Sequence, residues 1–292
     1  MRASSSLTWG GCTIPGDGGV PAVAVSLTGP TAAHARAQAR HAIDAGADVL
    51  ELRVDLLEEV DALVAFTEAP GEAATDSMVV ATAAAQVLEC LRRMADVVDV
   101  TPLLLTCRTA AEGGRARLDD SGYGALLCSV LDELAGWEPG RRPSAVDVEV
   151  QRGCLPQVSE QAHGLGIDVV ASFHDFKTTP ADDVLEDVLS RMASEGADLA
   201  KIAVWPTGAD DVARLLGVCA RATAAPGKGT GLGLPVAAMS MGALGAVSRV
   251  APVFGSALTF AVVPDEQGET QASAPGQLPI QDVRRCLELL RA

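Results

Sequence analysis

The sequence lacks the features that mark membrane, secreted and nucleic-acid-binding proteins. No apolar run reaches the roughly 18 residues that a membrane-spanning helix needs, and the residues at the start have no apolar core of signal-peptide type. The formal net charge of −16 disfavours nucleic acid and anionic membrane surfaces as partners. We therefore expect a cytoplasmic protein that binds neither. A local cluster of arginines would still permit an anionic substrate.

A metal-binding or disulfide pattern is missing as well. The seven cysteines are odd in number and scattered, with no C-x-x-C, and the four histidines are equally dispersed. Free thiols in a reducing compartment explain this distribution better than a disulfide framework or a zinc site does. We therefore predict no metal.

Lysine is scarce, since arginine supplies nearly all of the positive charge and the chain has three lysines, Lys177, Lys201 and Lys228. Lys201 lies in the apolar stretch 198–204, which predicts a buried strand. Burying an unpaired ammonium group costs several kcal/mol. The side chain either extends to water at a strand end or serves as an amine that attacks a carbonyl and forms an imine. The strand alone leaves both interpretations open.

Eight short apolar stretches alternate with helical patterns along the chain. The stretches lie at 22–27, 49–54, 102–107, 145–150, 167–173, 199–204, 234–239 and 257–262. The helical patterns lie at 31–45, 56–97, 123–134, 155–163, 180–194, 209–222, 242–250 and 279–290, with an acidic break near 68–76 and a glycine-rich loop at 225–233. Apolar stretches bounded by helices are typical of parallel strands that are buried on both faces.

This alternation predicts an α/β fold, a (β/α)8 TIM barrel, because eight βα units in 292 residues match its size. A Gly-x-Asp pattern recurs at 46–48, 166–168 and 196–198, where the glycine would end a helix and the aspartate would enter the next strand. Residues 21–292 would form a single barrel domain and residues 1–20 an irregular lead-in. The alternative is an open doubly wound sheet, but residues 26–31 lack the G-x-G-x-x-G spacing that favours it.

Polar residues cluster where the predicted strands end, and in a barrel these ends form the active site. At the two-residue period of a strand, Glu51, Arg53 and Asp55 point to one face, where buried charges must pair with each other or with a ligand. A purely structural ion network remains the alternative. The other strand-end residues are Arg108, Glu112, Asp147, Glu149, His174, Lys201, Arg249 and the segment 272–277.

Taken singly, each of these residues has an ordinary structural explanation. Together they place an amine, an imidazole, several carboxylates and three arginines at one rim. That combination suits an enzyme that forms an imine with an anionic carbonyl compound. A histidine near the amine would move protons, because its unperturbed pKa of about 6.5 lies near neutral pH.

Eight blocks of the sequence carry a resemblance to one family. In order and spacing, from about residue 21 to the end, the chain resembles type I 3-dehydroquinate dehydratase. The blocks are E-L-R-V-D at 51–55, T-C-R-T at 106–109 with E-G-G at 112–114, D-V-E at 147–149, S-F-H-D-F at 172–176, K-I-A-V at 201–204, M-S-M-G at 239–242 with S-R at 248–249, F-G-S at 254–256 and S-A-P-G-Q at 273–277.

The resemblance implies a TIM-barrel lyase of the shikimate pathway, which serves aromatic amino acid biosynthesis. Such an enzyme would dehydrate 3-dehydroquinate to 3-dehydroshikimate with no metal and no external cofactor. Its partner would be this small-molecule substrate, and members of the family are commonly homodimers.

By the family pattern, Lys201 would form the imine with the substrate ketone, His174 would move the protons of a syn elimination, and Glu112 would orient His174. Arg249 would hold the substrate carboxylate, and the segment 273–277 would close as a lid. Asp55, Asp147 and Glu149 would support the site from behind. The residues that would contact substrate are Glu51, Arg53, Arg108, Arg249, Ser273, Gln277, Met241 and Phe260.

Two other functions fit parts of the pattern. A class I aldolase would use the same fold and the same imine to break a carbon–carbon bond, often in a phosphorylated sugar. The glycine-rich loop at 225–233 could be misread as a phosphate loop, but it precedes the seventh strand, whereas the phosphate loops of barrels follow the seventh and eighth strands. A non-catalytic barrel that binds a small molecule is the second alternative.

Overall fold

The computed structural model of the chain describes residues 6–15, 19–64, 77–98, 101–224, 231–264 and 272–290. The strands are β1 (Leu7–Trp9), β2 (Cys12–Ile14), β3 (Ala22–Leu27), β4 (Val49–Arg53), β5 (Leu103–Thr106), β6 (Ala145–Glu149), β7 (Asp168–Asp175), β8 (Leu199–Val204), β9 (Val236–Ser240), β10 (Leu258–Val262) and β11 (Leu278–Pro279). The α-helices are α1 (Ala32–Asp44), α2 (Glu58–Val64), α3 (Ser77–Arg93), α4 (Ala95–Val98), α5 (Asp120–Leu134), α6 (Leu155–Gly164), α7 (Asp182–Ser194), α8 (Ala209–Ala222) and α9 (Ile280–Leu289). Short 3₁₀ helices lie at Val54–Leu56, Ala110–Glu112, Pro139–Arg141, Val150–Arg152, Ala246–Val250 and Pro252–Phe254.

The strands β3 to β10 form a parallel sheet that curls around an axis. Each strand from β3 to β8 pairs with the next one along the chain, β10 pairs with β3, and β11 adds to β10. Between β9 and β10 the contact is a single bridge of Val236 with Ser256, where the Ala257 N–H donates to Val236 O at 2.7 Å. The predicted α/β barrel of TIM type is confirmed, with its seam between the seventh and eighth barrel strands.

Alternate strand residues separate two apolar layers, as the two-residue period of a strand requires. Along β3, Val23 and Val25 face the helices, whereas Ala22 and Ala24 face the inside of the barrel. The inner layer is rich in small side chains, which leave space inside the barrel. They include Ala22, Ala24, Ala145, Ala203, Ala237 and Ala257.

The repeated Gly-x-Asp pattern has the predicted place in the fold. Gly46, Gly166 and Gly196 follow helices with φ of +91°, +70° and +101°, a left-handed conformation that glycine adopts without strain. Asp48 and Asp198 each accept, at 2.8 Å, a backbone N–H from the preceding barrel strand. These hydrogen bonds therefore hold the starts of neighbouring strands together.

Most predicted elements agree with the structure within a few residues, and β3, β8 and α8 have the predicted bounds. The predicted helix at 242–250 was wrong, because this segment is a turn followed by a 3₁₀ helix at Ala246–Val250. Gly242 has a φ of +71°, which a right-handed helix cannot contain. The predicted break near 68–76 and most of the loop at 225–233 lie outside the described residues.

The prediction of an irregular lead-in was wrong for Leu7–Ile14, which form an antiparallel hairpin. Its two-residue turn, Gly10-Gly11, has φ of +51° and +86°, as a tight hairpin requires. Trp9 and Ile14 are buried in the inner layer of the barrel. Trp9 Nε1 also donates to Asp168 Oδ2 at 2.8 Å, so the hairpin closes the end of the barrel at which the strands begin.

Among the described residues, no helix combines the length and the apolar character that crossing a membrane requires.

Replacing Trp9 with alanine should lower the unfolding free energy by about 3–5 kcal/mol, as large-to-small changes of buried aromatic residues do. W9F should cost less, because it keeps most of the buried volume and loses the hydrogen bond to Asp168. Urea unfolding followed by circular dichroism measures both. The control is L7A, a partly exposed position of the same hairpin. If W9A lost as little unfolding free energy as L7A does, Trp9 would not be important for closing this end of the barrel.

Candidate active site

Lys201 is the third residue of β8, and its side chain points into the barrel between the inner-layer residues Leu199 and Ala203. Its side chain is 6% exposed, and Nζ lies 3.2 Å from Asp147 Oδ2 and 3.4 Å from Glu51 Oε1. The same amine lies 4.6 Å from the centroid of the Phe260 ring, within the range of a cation–π contact. Lys201 therefore does not extend to water, and two carboxylates balance its charge.

Arg108, two residues beyond β5, joins the carboxylates of β6. Its side chain is 4% exposed. Nη2 donates to Asp147 at 2.7 Å, and Nη1 donates to Glu149 at 3.1 Å and to Ser172 Oγ at 2.9 Å. Burial by itself would raise the pKa of Asp147, but Arg108 and Lys201 outweigh it and lower that pKa below its ordinary value. Asp147 is therefore an anion that links Arg108 to Lys201.

Besides Arg108, groups from other elements form hydrogen bonds with Glu149. Its carboxylate accepts the backbone N–H of Thr109 at 2.7 Å and the Thr109 hydroxyl at 2.6 Å. Its own backbone N–H donates at 3.0 Å to the hydroxyl of Tyr123, which comes from α5. Charge-assisted hydrogen bonds of this kind are the strong ones, so Glu149 fixes the chain on which Arg108 lies.

Arg53 and Asp55 form a second buried pair beside this network. Two guanidinium nitrogens of Arg53 donate to the two Asp55 oxygens at 2.8 Å each, which is a bidentate arrangement. Asp55 also accepts the backbone N–H groups of Arg108 and Arg115, each at 3.1 Å. Asp55 therefore ties β4 to the loop after β5, and it presents the Arg53 guanidinium to the pocket.

His174 and Glu112 are in direct contact. His174 Nδ1 lies 2.9 Å from Glu112 Oε2, and the His174 backbone N–H donates to the same oxygen at 3.1 Å. Since Oε2 already serves as an acceptor, we assign the ring hydrogen to Nδ1. The other ring nitrogen, Nε2, then keeps a free lone pair and is able to accept a proton.

Burial is the largest influence on the protonation of this pair. It raises the pKa of Glu112 to about 8, with the charge of Glu149 adding to the effect. It also lowers the pKa of His174 well below the ordinary 6.5, and the cations Arg108 and Lys201 act in the same direction. His174 is therefore uncharged at neutral pH, in the form that a general base requires.

Arg249 is buried in the 3₁₀ helix after β9, with Nη1 donating to Phe260 O at 3.4 Å and Nη2 to Pro275 O at 3.1 Å. Its Nε has no hydrogen-bond partner. Within the described part of the chain, no carboxylate lies within 4.0 Å of it. Burial lowers the pKa of Arg249 to about 10, so the side chain is a cation at neutral pH. Arg249 is thus a buried cation without an acidic partner among the described residues, and such a guanidinium is able to bind an anionic group.

The segment after β10 reaches the network through Ser26 on β3. Ser273 Oγ donates to Ser26 Oγ at 2.8 Å, and Ser26 Oγ donates to Glu51. Gln277 contacts Ser273 twice, at 3.0 Å and 3.1 Å. Burial would raise the pKa of Glu51, but Lys201, among other groups, outweighs it and lowers the pKa, so Glu51 is an anion. A chain of hydrogen bonds thus joins this segment to the carboxylate beside Lys201.

One pocket collects eleven of the predicted residues: Glu51, Arg53, Arg108, Glu112, His174, Lys201, Met241, Arg249, Phe260, Ser273 and Gln277. Asp55, Asp147 and Glu149 lie behind this lining and hold it. Gly113, Phe176, Ala203, Met239 and Ala274 also line the pocket, and the sequence analysis gave none of them an individual role. Ser26, Thr106, Thr109, Tyr123 and Ser172 were missed as hydrogen-bond partners. Hydroxyl residues at the carboxyl ends of neighbouring strands were the available signal for Ser26, Thr106 and Ser172.

The arrangement suits proton abstraction next to a carbonyl group. An amine between two carboxylates can form and stabilise a cationic imine. A neutral imidazole in the same pocket can take a proton from the adjacent carbon and return it. A buried arginine without a carboxylate partner can bind an anionic group of the substrate.

Comparison with protein families gives one match over most of the chain. The model of the family described as type I 3-dehydroquinase matches residues 23–292. A 3-dehydroquinate dehydratase of Listeria innocua is 34% identical over 275 residues, which cover 93% of each chain. A 3-dehydroquinate dehydratase of Klebsiella pneumoniae is 34% identical over 273 residues, which cover 92% of each chain.

Solved structures give the same result. The 3-dehydroquinate dehydratase of Geobacillus kaustophilus is similar with a TM-score of 0.79 and 27% identity, covering 99% of this chain and 97% of that one. The type I enzyme of Clostridium difficile, solved with covalently modified comenic acid, is similar with a TM-score of 0.79 and 28% identity, covering 98% of both chains.

Proposed function

The chain belongs to the type I 3-dehydroquinase family and dehydrates 3-dehydroquinate in the shikimate pathway, and we propose that it does so through an imine between Lys201 and the substrate ketone. The observation that carries the proposal is the place of Lys201, the single lysine among the described residues that line the pocket. The ammonium group and the ketone would give a protonated imine and one water. Glu51 and Asp147, 3.4 Å and 3.2 Å from Nζ, would stabilise the positive charge of that imine.

His174 is the proposed proton carrier. The protonated imine draws electrons from the adjacent C–H bond, so Nε2 of His174 can take that proton and leave an enamine. The enamine expels the β-hydroxyl group, to which the same histidine returns the proton, and water is released. One base that serves both steps acts on one face of the substrate, which gives a syn elimination. Glu112 fixes the ring through Nδ1.

Arg249 is the proposed site for the substrate carboxylate. What supports this role is its burial, its unpartnered Nε and its lack of an acidic partner among the described residues. A substrate carboxylate would complete the charge balance and would accept charge-assisted hydrogen bonds. The proposed contacts with substrate hydroxyl groups come from Glu51, Arg53, Arg108, Ser273 and Gln277, and Met241 and Phe260 would pack against the ring.

The segment 273–277 is the proposed lid over the imine. Its support is the hydrogen bond from Ser273 to Ser26 together with the backbone contact of Pro275 O with the N–H of Gly242 at 3.1 Å. Gly276 packs so closely on Gly242 that a side chain at position 276 would overlap the Gly242 backbone. A closed lid excludes water, which would otherwise hydrolyse the imine early.

We further propose that the protein is a cytoplasmic homodimer. All seven cysteines are free, which suits a reducing compartment. Exposed large hydrophobic side chains lie on two elements that contact each other, Val247 on the 3₁₀ helix Ala246–Val250 and Leu289 on α9, and exposed apolar patches mark protein interfaces.

Sedimentation velocity at micromolar concentration should therefore give the mass of two chains. Replacing Val247 and Leu289 together with aspartate should shift the protein toward the monomer, because burying two charges at an apolar interface is costly. The same double change to alanine serves as the control for size alone. A wild-type protein that sediments as a monomer would rule the homodimer out.

Borohydride treatment in the presence of 3-dehydroquinate should leave a reduced substrate adduct on Lys201, identified by mass spectrometry of peptides. Reduction makes the imine permanent, so the adduct should be absent without substrate and absent from K201R. The matched control is K177R, which changes one of the other two lysines and should keep both the adduct and the activity. A wild-type enzyme that forms the enone product without any Lys201 adduct would refute the imine.

R249Q should lower kcat/KM by about 10- to 150-fold, mainly through KM, because a charge-assisted hydrogen bond is worth about 1.5–3 kcal/mol. R249K should lose less, since it keeps the charge but not the fork of donors. Absorbance of the enone product gives the rates. The control is R93Q, which removes an exposed arginine on α3 and should leave KM unchanged. A normal KM in R249Q would place the substrate carboxylate elsewhere.

A further inference from the structure

Phe176 is a pocket residue to which the proposed reaction assigns no role. It directly follows β7, two residues beyond His174, and it is 38% exposed. Its ring stacks on the His174 ring, with 6.5 Å between centroids and 22° between planes. The Phe176 ring therefore lies beside the imidazole, nearly parallel to it and offset from it, and Phe176 also lines the pocket.

Gly113 explains how the ring reaches this place. It ends the 3₁₀ helix that carries Glu112, and its φ is +83°. A Cβ built on Gly113 would overlap Cε2 and Cζ of Phe176. The ring therefore lies on the backbone of the residue next to Glu112, and any side chain at position 113 would push it away. Phe176 thus lies next to His174 and next to Gly113, the residue that follows Glu112. It is therefore close to both partners of the Glu112–His174 hydrogen bond.

We propose that Phe176 is a positioning residue that keeps water away from the Glu112–His174 hydrogen bond, and that Gly113 serves to admit its ring. The inference deepens the proposed function, because it rests on His174 as the proton carrier. Glu112 Oε1 is itself buried and has no protein hydrogen-bond partner among the described residues, so the surrounding protein encloses this oxygen.

Both the neighbouring charges and the burial of the site shift the pKa of His174. His174 faces the cations Arg108, Lys201 and Arg53, which oppose its protonation. Burial nevertheless ranks above them, and it lowers the pKa of His174 well below 6.5. Water admitted by loss of the ring would solvate the imidazolium, so the pKa of His174 should rise toward 6.5.

Glu112 should respond in the opposite direction to the same change. It faces the anions Glu149 and Asp147, which raise its pKa, and the cations Arg108 and Arg152, which lower it, but burial is again the largest cause. If water enters the site, the pKa of Glu112 should fall from about 8 toward the ordinary 4.5. The carboxylate formed would then stabilise the imidazolium, so both effects raise the pKa of His174.

The test is an NMR titration of the His174 ring in the whole protein without substrate, with the resonances assigned by their loss in H174N. The other three histidines are exposed and serve as internal references. In the wild type the ring should stay neutral as the pH falls from 8 to about 5. F176A should raise the pKa of His174 by about one unit or more. F176L, which keeps an apolar side chain, should raise it less.

G113A tests the second half of the proposal. Its Cβ should displace the ring and raise the pKa of His174 in the same direction as F176A does. In the double variant G113A/F176A the shift should equal that of F176A alone, because no ring is left to displace. A shift that adds in full would mean that Gly113 acts independently of Phe176, and would overturn that half.

Kinetics in the same variants exclude a merely structural role. The low-pH limb of kcat/KM should move upward in F176A by the same amount as the titration. An unchanged titration of His174 in both F176A and F176L would overturn the proposal, whatever their activity or stability. Because the titration needs no substrate, a missing Lys201 adduct would refute the imine and leave this result standing.

Discussion

The pairing of buried charges around Arg108 is the constraint on which the active site depends. A guanidinium with a 4% exposed side chain is tolerable only if its partners are fixed, and here Asp147 and Glu149 supply them from neighbouring positions on β6. Asp147 also contacts Lys201, so the place of the amine depends on β5, β6 and β8 together. Strands that are hydrogen-bonded to each other hold such groups more rigidly than loops do. Lys201 is thus positioned by a network of buried charges, of which Asp147 and Glu149 lie behind the pocket lining.

The inside of the barrel, whose inner layer includes several alanines, differs at its two ends. At one end the space is filled by Trp9 and Ile14 of the hairpin, and at the other by the charged residues of the pocket. The end closed by the hairpin is apolar, whereas the end that holds the pocket is polar. The first excludes water and stabilises the fold, whereas in the second burial raises the pKa of Glu112 and lowers that of His174. The two curated relatives at 34% identity and the two solved structures at 27% and 28% identity are dehydratases, which favours dehydration over an aldolase or a binding barrel.

The strands and most helices were predictable because buried parallel strands are continuous apolar runs that do not depend on distant contacts for their pattern. The hairpin at Leu7–Ile14 was missed, since two strands of three residues are too short to show alternation. The segment 242–250 has a composition that is compatible with a helix, which is why a helix was predicted there. Gly242, however, adopts a left-handed conformation that the surrounding turn requires. Phe176 and Tyr123 were missed as site residues because nothing in their local sequence indicates which partners they meet.

The sequence by itself determined the barrel, the strand-end position of each charged residue and the family. These follow from periodicity and from motif spacing, which are local properties of the chain. Only the tertiary structure decided which charges pair. Lys201 lies between Glu51 and Asp147, Arg249 has no acidic partner among the described residues, and Glu112 contacts His174. Pairing and water exclusion depend on distances between strands that are far apart in sequence, and those distances exist only once the sheet has curled into a barrel.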